Sequence, residues 1–97
     1  MKIYDKAIVF DWDVGNIDKN LKHGVNDKES EEVFGSQKKV VTKDATHSLA
    51  ENRYMIWGVT NKGRTLSIFF TLRKNKVRII SARDMSRKER KTYHEKI

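Results

Sequence analysis

The chain has 97 residues, a formal net charge of +8 and no cysteine. This length predicts a single domain over residues 1–97, and the lack of cysteine excludes disulfides, thiolate zinc sites and cysteine nucleophiles. Because no apolar stretch approaches the ~20 residues that span a bilayer and the first apolar run is too short for a signal peptide, we expect a cytoplasmic protein that does not enter a membrane.

The first quarter of the chain predicts a strand followed by a helix. Residues 7–10 form a short apolar run that is typical of a strand. Asp13 is a suitable cap for a helix over Val14–Lys22, and Gly24 stands in the usual stop position.

A second helix and a second short strand follow. Asn26 and Glu29 have the spacing of a capping box, which predicts a helix that extends to Phe34. Residues 40–41 are apolar and predict a short strand, whereas residues 43–52 are polar and indicate a loop.

The second half of the chain predicts three strands and a helix. The strands are expected at Arg53–Val59, Thr65–Leu72 and Lys76–Arg83, joined by tight-turn sequences. Ser86 and Glu89 form another capping box and begin a C-terminal helix. The order β-α-α-β-β-β-β-α predicts an α+β fold, a small antiparallel sheet with helices on one face.

The turn sequences also predict the register of the sheet. Tips at residues 62–63 and 74–75 place Tyr54, Thr71 and Arg78 in one row on the face away from the helices. On this register Thr60 faces Thr65, and the core face contains Met55, Trp57, Val59, Leu66, Ile68, Phe70, Leu72, Val77 and Ile79.

Positive charge is concentrated at the end of the chain. Residues 73–97 contain ten Lys or Arg against three Asp or Glu, so they contribute +7 of the +8. Arg78 and Arg83 lie on a predicted strand, and Arg87 and Arg90 on a predicted helix, which indicates a folded phosphate-binding surface. The alternatives are a solvated Arg78, an Arg83 paired with Asp84 or a helix carboxylate, and a solvated helix face.

Acid–base and metal chemistry have weaker signals. Lys19 and His23 share a helix face and suit either a favourable interaction with the helix dipole or proton transfer. A magnesium site at Asp11, Asp13 and Asp18 is the alternative to a cap and surface charges, but no second carboxylate cluster completes it. We therefore expect no metal and no cofactor.

Several blocks in the same order resemble the BrnT toxins. They are Phe10-Asp11-Trp12-Asp13-Val14-Gly15-Asn16, Lys19-Asn20, Lys22-His23-Gly24-Val25, Glu31-Glu32-Val33-Phe34, the stretch 44–54 with His47-Ser48 and Glu51-Asn52-Arg53-Tyr54, Gly63-Arg64, Arg78-Ile79-Ile80-Ser81-Ala82-Arg83, Glu89-Arg90 and Tyr93. This chain departs from the family pattern at one point: it lacks a residue that the pattern has between Asn20 and Lys22. In a helix this loss rotates the residues that follow by about 100°, so His23 points in a different direction from its counterpart in the family.

The resemblance implies a RelE-like fold and a ribonuclease toxin of a type II toxin–antitoxin pair. It also implies a BrnA-like ribbon-helix-helix antitoxin that joins the toxin in a hetero-oligomer, with operator DNA bound only through the antitoxin. On this basis the chain is expected to cleave RNA and to inhibit translation.

The leading hypothesis is metal-independent cleavage in which the RNA 2′-OH attacks the phosphate. Arg78 and Arg83 are the expected phosphate-binding cations, with His23, Lys19 and Glu51 as acid–base candidates. The expected substrate-binding residues are Tyr54, Thr71, Arg53, Arg87 and Arg90. The alternative is a non-catalytic basic module that binds nucleic acid or the antitoxin, such as a degenerate toxin.

Overall fold

A computed structural model describes residues 8–44 and 51–97. Within these residues the elements are a 3-10 helix (Lys19–His23), α1 (Asp27–Phe34), β1 (Val40–Lys43), β2 (Arg53–Val59), β3 (Thr65–Arg73), β4 (Lys76–Asp84) and α2 (Arg87–Lys96). The strands form one antiparallel sheet in the order β1-β2-β3-β4. The predicted α+β class and antiparallel sheet are confirmed.

Both helices begin at the predicted capping boxes. The Asn26 side chain accepts from the Glu29 N–H at 2.8 Å, and Glu29 accepts from the Asn26 N–H at 3.1 Å. The equivalent bonds between Ser86 and Glu89 are 3.1 and 2.8 Å long. Each box satisfies two backbone donors that the helix itself leaves without a partner, so the sequence alone defines both starting points.

The first predicted strand is reduced to a single bridge beside β4. The Val77 N–H donates to the Val9 carbonyl and the Asp11 N–H donates to the Val77 carbonyl, both at 2.8 Å. Phe10 thus pairs with Val77 in parallel. Residue 7 lies outside the described residues.

The helix predicted over residues 14–22 is wrong. Residues 14–18 form turns, Asp18 adopts a left-handed backbone with φ of 57°, and only the 3-10 helix follows. Gly24 ends that helix at φ 73°, as predicted, because glycine has no Cβ to oppose this conformation.

Asparagine side chains explain this irregular course, because they bond to the outer edge of β4. Asn16 donates to the Ile79 carbonyl at 3.1 Å, and Asn20 accepts from the Ala82 N–H at 3.0 Å. Both asparagines are buried. Backbone groups at a sheet edge otherwise remain open to pairing with another chain, so the segment completes β4 with side-chain hydrogen bonds.

The main core lies between α1 and one face of the sheet. It contains Val25, Val33, Phe34, Ile56, Leu66, Ile68, Phe70, Val77, Ile79 and Ala82. Gly58 allows α1 to approach, since a Cβ at this position would lie 2.8 Å from Val33 Cγ1. Burial of this apolar surface supplies most of the stability of the fold.

The prediction that the helices share one face is wrong for α2. Tyr93 packs with Trp57 and Met85, and Met55 and Val59 lie against this second cluster. These β2 residues alternate with Ile56, which belongs to the main core. Because successive strand residues point to opposite faces, α2 covers the face opposite α1.

The β2 register differs from the prediction by one residue. Val59, not Thr60, pairs with Thr65, because Thr60 belongs to the loop: its N–H donates to the Arg64 carbonyl at 2.8 Å and its hydroxyl accepts from the Arg64 N–H at 3.1 Å. A shift of one residue exchanges the faces of a strand. Met55, Trp57 and Val59 therefore leave the predicted core face.

The hairpin between β3 and β4 follows the predicted register only near its turn. Thr71 pairs with Arg78 and Phe70 with Ile79, as expected, but a bulge follows and Phe69 pairs with Ser81. The expected pairing of Ile68 with Ser81 is therefore wrong. The bulge inserts one residue in β4 and brings Ala82 into the core.

Candidate functional site

A row of polar residues crosses three strands on the face opposite α1. Thr71 of β3 pairs with Arg53 of β2 and with Arg78 of β4. Tyr54, predicted in this row, lies instead on the α1 side, where its ring stacks on Phe70 with centroids 5.5 Å apart. The predicted alignment of Tyr54 with Thr71 and Arg78 is wrong, because the register of β2 is shifted.

Arg78 is held between two carboxylates from the N-terminal segment. Its Nη2 donates to Asp13 Oδ1 at 2.8 Å, and its Nη1 lies 3.6 Å from Asp11 Oδ2. The Arg78 side chain is only 13% exposed, against 54% for Asp13. Arg78 was expected to be either solvated or accessible to substrate, but its own chain partly encloses it.

The loop 13–15 fits closely around this arginine. The Gly15 N–H donates to Asp13 Oδ1 at 2.8 Å, and a Cβ on Gly15 would lie 2.8 Å from Arg78 Nη2. The hydrogen bond from Arg78, followed by that from Gly15, lowers the pKa of Asp13. The carboxylate is therefore ionised and oriented at neutral pH.

A second ion pair lies near the same row. Arg73 donates through Nη2 and Nε to the two oxygens of Glu51, at 2.7 and 3.2 Å. These bonds lower the pKa of Glu51, and Thr71 and Arg78 lower it further. The Thr71 hydroxyl donates to the Asn52 carbonyl at 2.7 Å. We name this group of residues the phosphate-site cluster, after the phosphate-binding role that the sequence predicted for Arg78. It comprises Asp11, Asp13, Glu51, Thr71, Arg73 and Arg78.

Arg83 lies elsewhere on the same face. Its guanidinium donates to both oxygens of Glu89, at 2.6 and 3.0 Å, so it pairs with a carboxylate of α2. Arg83 pairs in the sheet with Ser67, four residues along β3 from Thr71. This spacing puts the two arginine backbones roughly 13 Å apart. Arg78 and Arg83 thus bond to carboxylates of different segments, Asp13 and Glu89.

The first two acid–base candidates lie away from Arg78. His23 Nδ1 is 3.2 Å from the Ala82 carbonyl at the edge of β4, and Lys19 is exposed on the same 3-10 helix. Glu51 is the predicted candidate on the same side as Arg78, since the carbonyl of the adjacent Asn52 accepts from Thr71, which pairs with Arg78 in the sheet. The structure therefore separates His23 and Lys19 from the phosphate-site cluster.

The start of α2 presents its basic residues to solvent. Arg87, Lys88, Arg90 and Lys91 are exposed, and Arg90 also donates to the Met85 carbonyl at 3.2 Å. They carry part of the positive charge that the sequence concentrates in residues 73–97. Exposed cations of this kind attract a polyanion without selecting its sequence.

Arg64 has a structural position. It donates to Asp84 Oδ1 at 2.7 Å and to the Gly24 carbonyl at 2.7 Å, and it pairs with Glu29 at 3.2 Å. The loop after β2 is thus tied to the end of β4, the end of the 3-10 helix and the start of α1.

Asp11 and Asp13, considered above for a magnesium ion, face a guanidinium instead. Among residues 8–44 and 51–97 there is no group of three or more His, Cys, Asp or Glu side chains placed to hold a metal ion. In the same residues no helix combines the length and apolarity required to cross a membrane.

The sequence analysis did not predict that Asp11, Asp13 and Arg73 belong to the phosphate-site cluster. Asp11 and Asp13 are two residues apart after an apolar run, which places their side chains on one side of an extended chain. That spacing was the available signal. Their partner Arg78 is 65 residues from Asp13, so only the parallel bridge beside β4 reveals the pair.

The fold and the cluster define a small basic α+β protein in which Arg78, on the edge strand of the sheet, is held between two carboxylates. Residues 12–89 match the family model of BrnT, described as the ribonuclease toxin of a type II toxin–antitoxin system. The chain belongs to this family, and the resemblance found in its motifs is confirmed. Comparison of the sequence with curated proteins returns no match.

Proposed function

We propose that this protein is an endoribonuclease toxin that uses Arg78 to bind the scissile phosphate of RNA. Membership of a ribonuclease toxin family supports the reaction class. The observation that supports the site is the row Arg53, Thr71 and Arg78 with Arg73 nearby. Guanidinium groups suit phosphate oxygens because they offer paired donors in one plane.

Arg78 becomes available to the phosphate by exchange of anions. Its Nη1 has no hydrogen-bond acceptor among the described residues, while Nη2 bonds to the half-exposed Asp13. A phosphate that replaces the Asp13 carboxylate gains the Nη2 bond and reaches the Nη1 donor. Movement of the loop 13–15 is therefore part of substrate binding in this proposal.

Glu51 is the proposed base for the 2′-OH. It is a carboxylate at neutral pH, and the hydrogen bonds from Arg73 lower its pKa further and fix its orientation. It lies with Thr71 on the side of Arg78. Transfer of the 2′-OH proton to Glu51 accompanies attack of the oxygen on phosphorus, which forms a 2′,3′-cyclic phosphate. The bond from phosphorus to the 5′-oxygen of the next nucleotide breaks, and this oxygen takes a proton from solvent water. Arg78 stabilises the additional charge on the phosphoryl oxygens. This chemistry requires no metal ion.

The exposed cations of α2 extend the RNA surface in this proposal. Arg87 and Arg90 contact the backbone beyond the cleaved bond, whereas Arg83 holds α2 through Glu89. In the cell the toxin acts in the cytoplasm and inhibits translation. A BrnA-like ribbon-helix-helix antitoxin neutralises it in a hetero-oligomer, and operator DNA is bound only through that antitoxin.

The test is cleavage of a defined RNA by the purified chain in EDTA. We expect a 2′,3′-cyclic phosphate product, and Arg78→Ala should reduce the rate by roughly 10²- to 10³-fold. Lys96→Ala is the control, since it removes an exposed cation from the end of α2. Activity that EDTA abolishes and Mg²⁺ restores would contradict the metal-independent mechanism.

Two further results would reject the proposal. A folded wild-type chain that binds RNA in a salt-sensitive manner without cleaving it would be the non-catalytic basic module. Normal bacterial growth with verified high levels of the folded chain, in the absence of an antitoxin, would also contradict a toxin. We expect induction to stop growth and lower translation, and co-expression of the antitoxin to restore both.

A further inference from the structure

The segment 14–21 has its two asparagine side chains inside and its three branched aliphatic side chains outside. Val14 is 84% exposed, Ile17 47% and Leu21 54%, whereas Asn16 and Asn20 are 4% and 2% exposed. An ordinary surface segment shows the opposite pattern. The exposed aliphatic groups therefore need an explanation other than the stability of this chain.

The edge of β4 explains the buried half of the pattern. Asn16 and Asn20 face β4 because their side chains bond to the backbone of Ile79 and Ala82. That orientation leaves the branched aliphatic residues of the segment toward solvent. Exposed apolar groups grouped in one short segment are a common mark of a protein–protein interface.

Charge indicates what kind of partner covers this surface. The chain has a net charge of +8, so two copies that approach each other are subject to strong repulsion. Lys19 and Lys22 are exposed among the aliphatic residues. An acidic partner is attracted by the same charges, and an amphipathic helix offers an apolar face that can cover exposed aliphatic groups.

We propose that Val14, Ile17 and Leu21 form the docking surface for an acidic amphipathic helix of the antitoxin. This inference rests on the proposed function for the identity of the partner. The surface adjoins the phosphate-site cluster, because Val14 lies between Asp13, which bonds to Arg78, and Gly15, which packs against it. A helix seated there holds the loop 13–15 on Arg78 and blocks the exchange of Asp13 for phosphate.

The test uses the product of the neighbouring gene whose co-expression restores growth. Its affinity for the wild-type chain is compared by calorimetry with that for Ile17→Asp, Leu21→Asp and Ile97→Asp. Ile97 is the matched control, being 46% exposed at the far end of the chain. We expect at least a 100-fold loss for the first two variants and less than a threefold change for the control. Lys22→Glu should weaken binding about tenfold at low salt, because it removes attraction to an acidic helix.

Cleavage of RNA by the same variants, without antitoxin, distinguishes docking from damage to the fold. Ile17→Asp and Leu21→Asp should cleave at the wild-type rate and no longer be inhibited. Unchanged affinity for the antitoxin, or a wild-type chain that no neighbouring gene product binds, would overturn the docking surface. Sedimentation that shows a wild-type dimer dissociated by Ile17→Asp would also overturn it, in favour of a second copy.

Failure of the ribonuclease proposal has a different result. Suppose that the wild-type chain cleaves no RNA but binds the antitoxin, and that Ile17→Asp abolishes this binding. The docking surface is then supported and the proposed ribonuclease activity is wrong. If it cleaves RNA and all variants bind equally, the activity stands and the docking surface is wrong.

Discussion

Replacement of Glu89 by Gln should loosen α2 from the sheet. Glu89 accepts two hydrogen bonds from Arg83, one from the Ser67 hydroxyl at 3.2 Å and one from the Ser86 N–H at 2.8 Å. Gln keeps the size of the side chain but places an NH₂ group opposite one arginine donor. The substitution therefore removes the charge-assisted pair without creating a cavity.

The lowered pKa of Glu89 gives the size of this effect. The bonds from Arg83, with that from Ser86, lower the pKa from 4.5 to about 2, which corresponds to roughly 3 kcal/mol for a fully enclosed group. The side chains of Arg83 and Glu89 are 39% and 20% exposed. Because water screens the pair at that exposure, we expect Glu89→Gln to reduce the free energy of unfolding by about 1–2 kcal/mol at pH 7.

The effect should depend on pH in a defined direction. A carboxyl group whose pKa is lower in the folded chain stabilises it above the unfolded pKa, here 4.5, and loses this contribution as the pH falls through about 2. Urea unfolding at several pH values should show wild type and Glu89→Gln converging between pH 4.5 and 2. The Trp57 side chain packs in the α2 cluster, so its fluorescence reports the transition.

Glu95→Gln is the control, because this residue is exposed on the same helix. Equal stability of wild type and Glu89→Gln at pH 7 would refute the reasoning. A folded Arg83→Ala variant with unchanged stability and RNA cleavage reduced 100-fold would show instead that Arg83 is a phosphate-binding residue, as the sequence first suggested.

Further predictions concern the phosphate-site cluster and the core. Arg78→Lys should restore only part of the cleavage lost in Arg78→Ala, since an ammonium group lacks the paired donors; full rescue in a rate assay would contradict that role. Gly15→Ala should slow cleavage about tenfold with little change in the urea midpoint, because the added Cβ would lie only 2.8 Å from Arg78 Nη2 and would displace the guanidinium. Cleavage by Gly15→Ala at the wild-type rate would show that a close fit of the loop 13–15 around Arg78 is not required. Gly58→Ala should instead cost about 1–3 kcal/mol in urea unfolding, because its Cβ meets Val33 in the core; equal midpoints would refute this.

Local signals made much of the fold predictable. The capping boxes at Asn26 and Ser86 define helix starts through side chains only three residues apart, and the turn at residues 74–75 defines the adjoining register. Hydrogen bonds between residues far apart in the sequence could not be predicted from such local signals. Asn16 and Asn20 replace the first helix by an irregular segment because β4, some 60 residues later, needs partners at its edge.

One local hydrogen bond changes the interpretation of the site. Thr60 bonds to Arg64 in the loop, so the register of β2 differs by one residue from the predicted register. Arg53 rather than Tyr54 therefore lies beside Thr71. The predicted row combined an aromatic ring with a cation and suited a base stacked beside a phosphate. The observed row has a cation on each side of Thr71 and suits the phosphate backbone, which contributes affinity and position but little sequence information. If the proposed site binds RNA in this way, selection of the cleaved sequence belongs to residues outside the row.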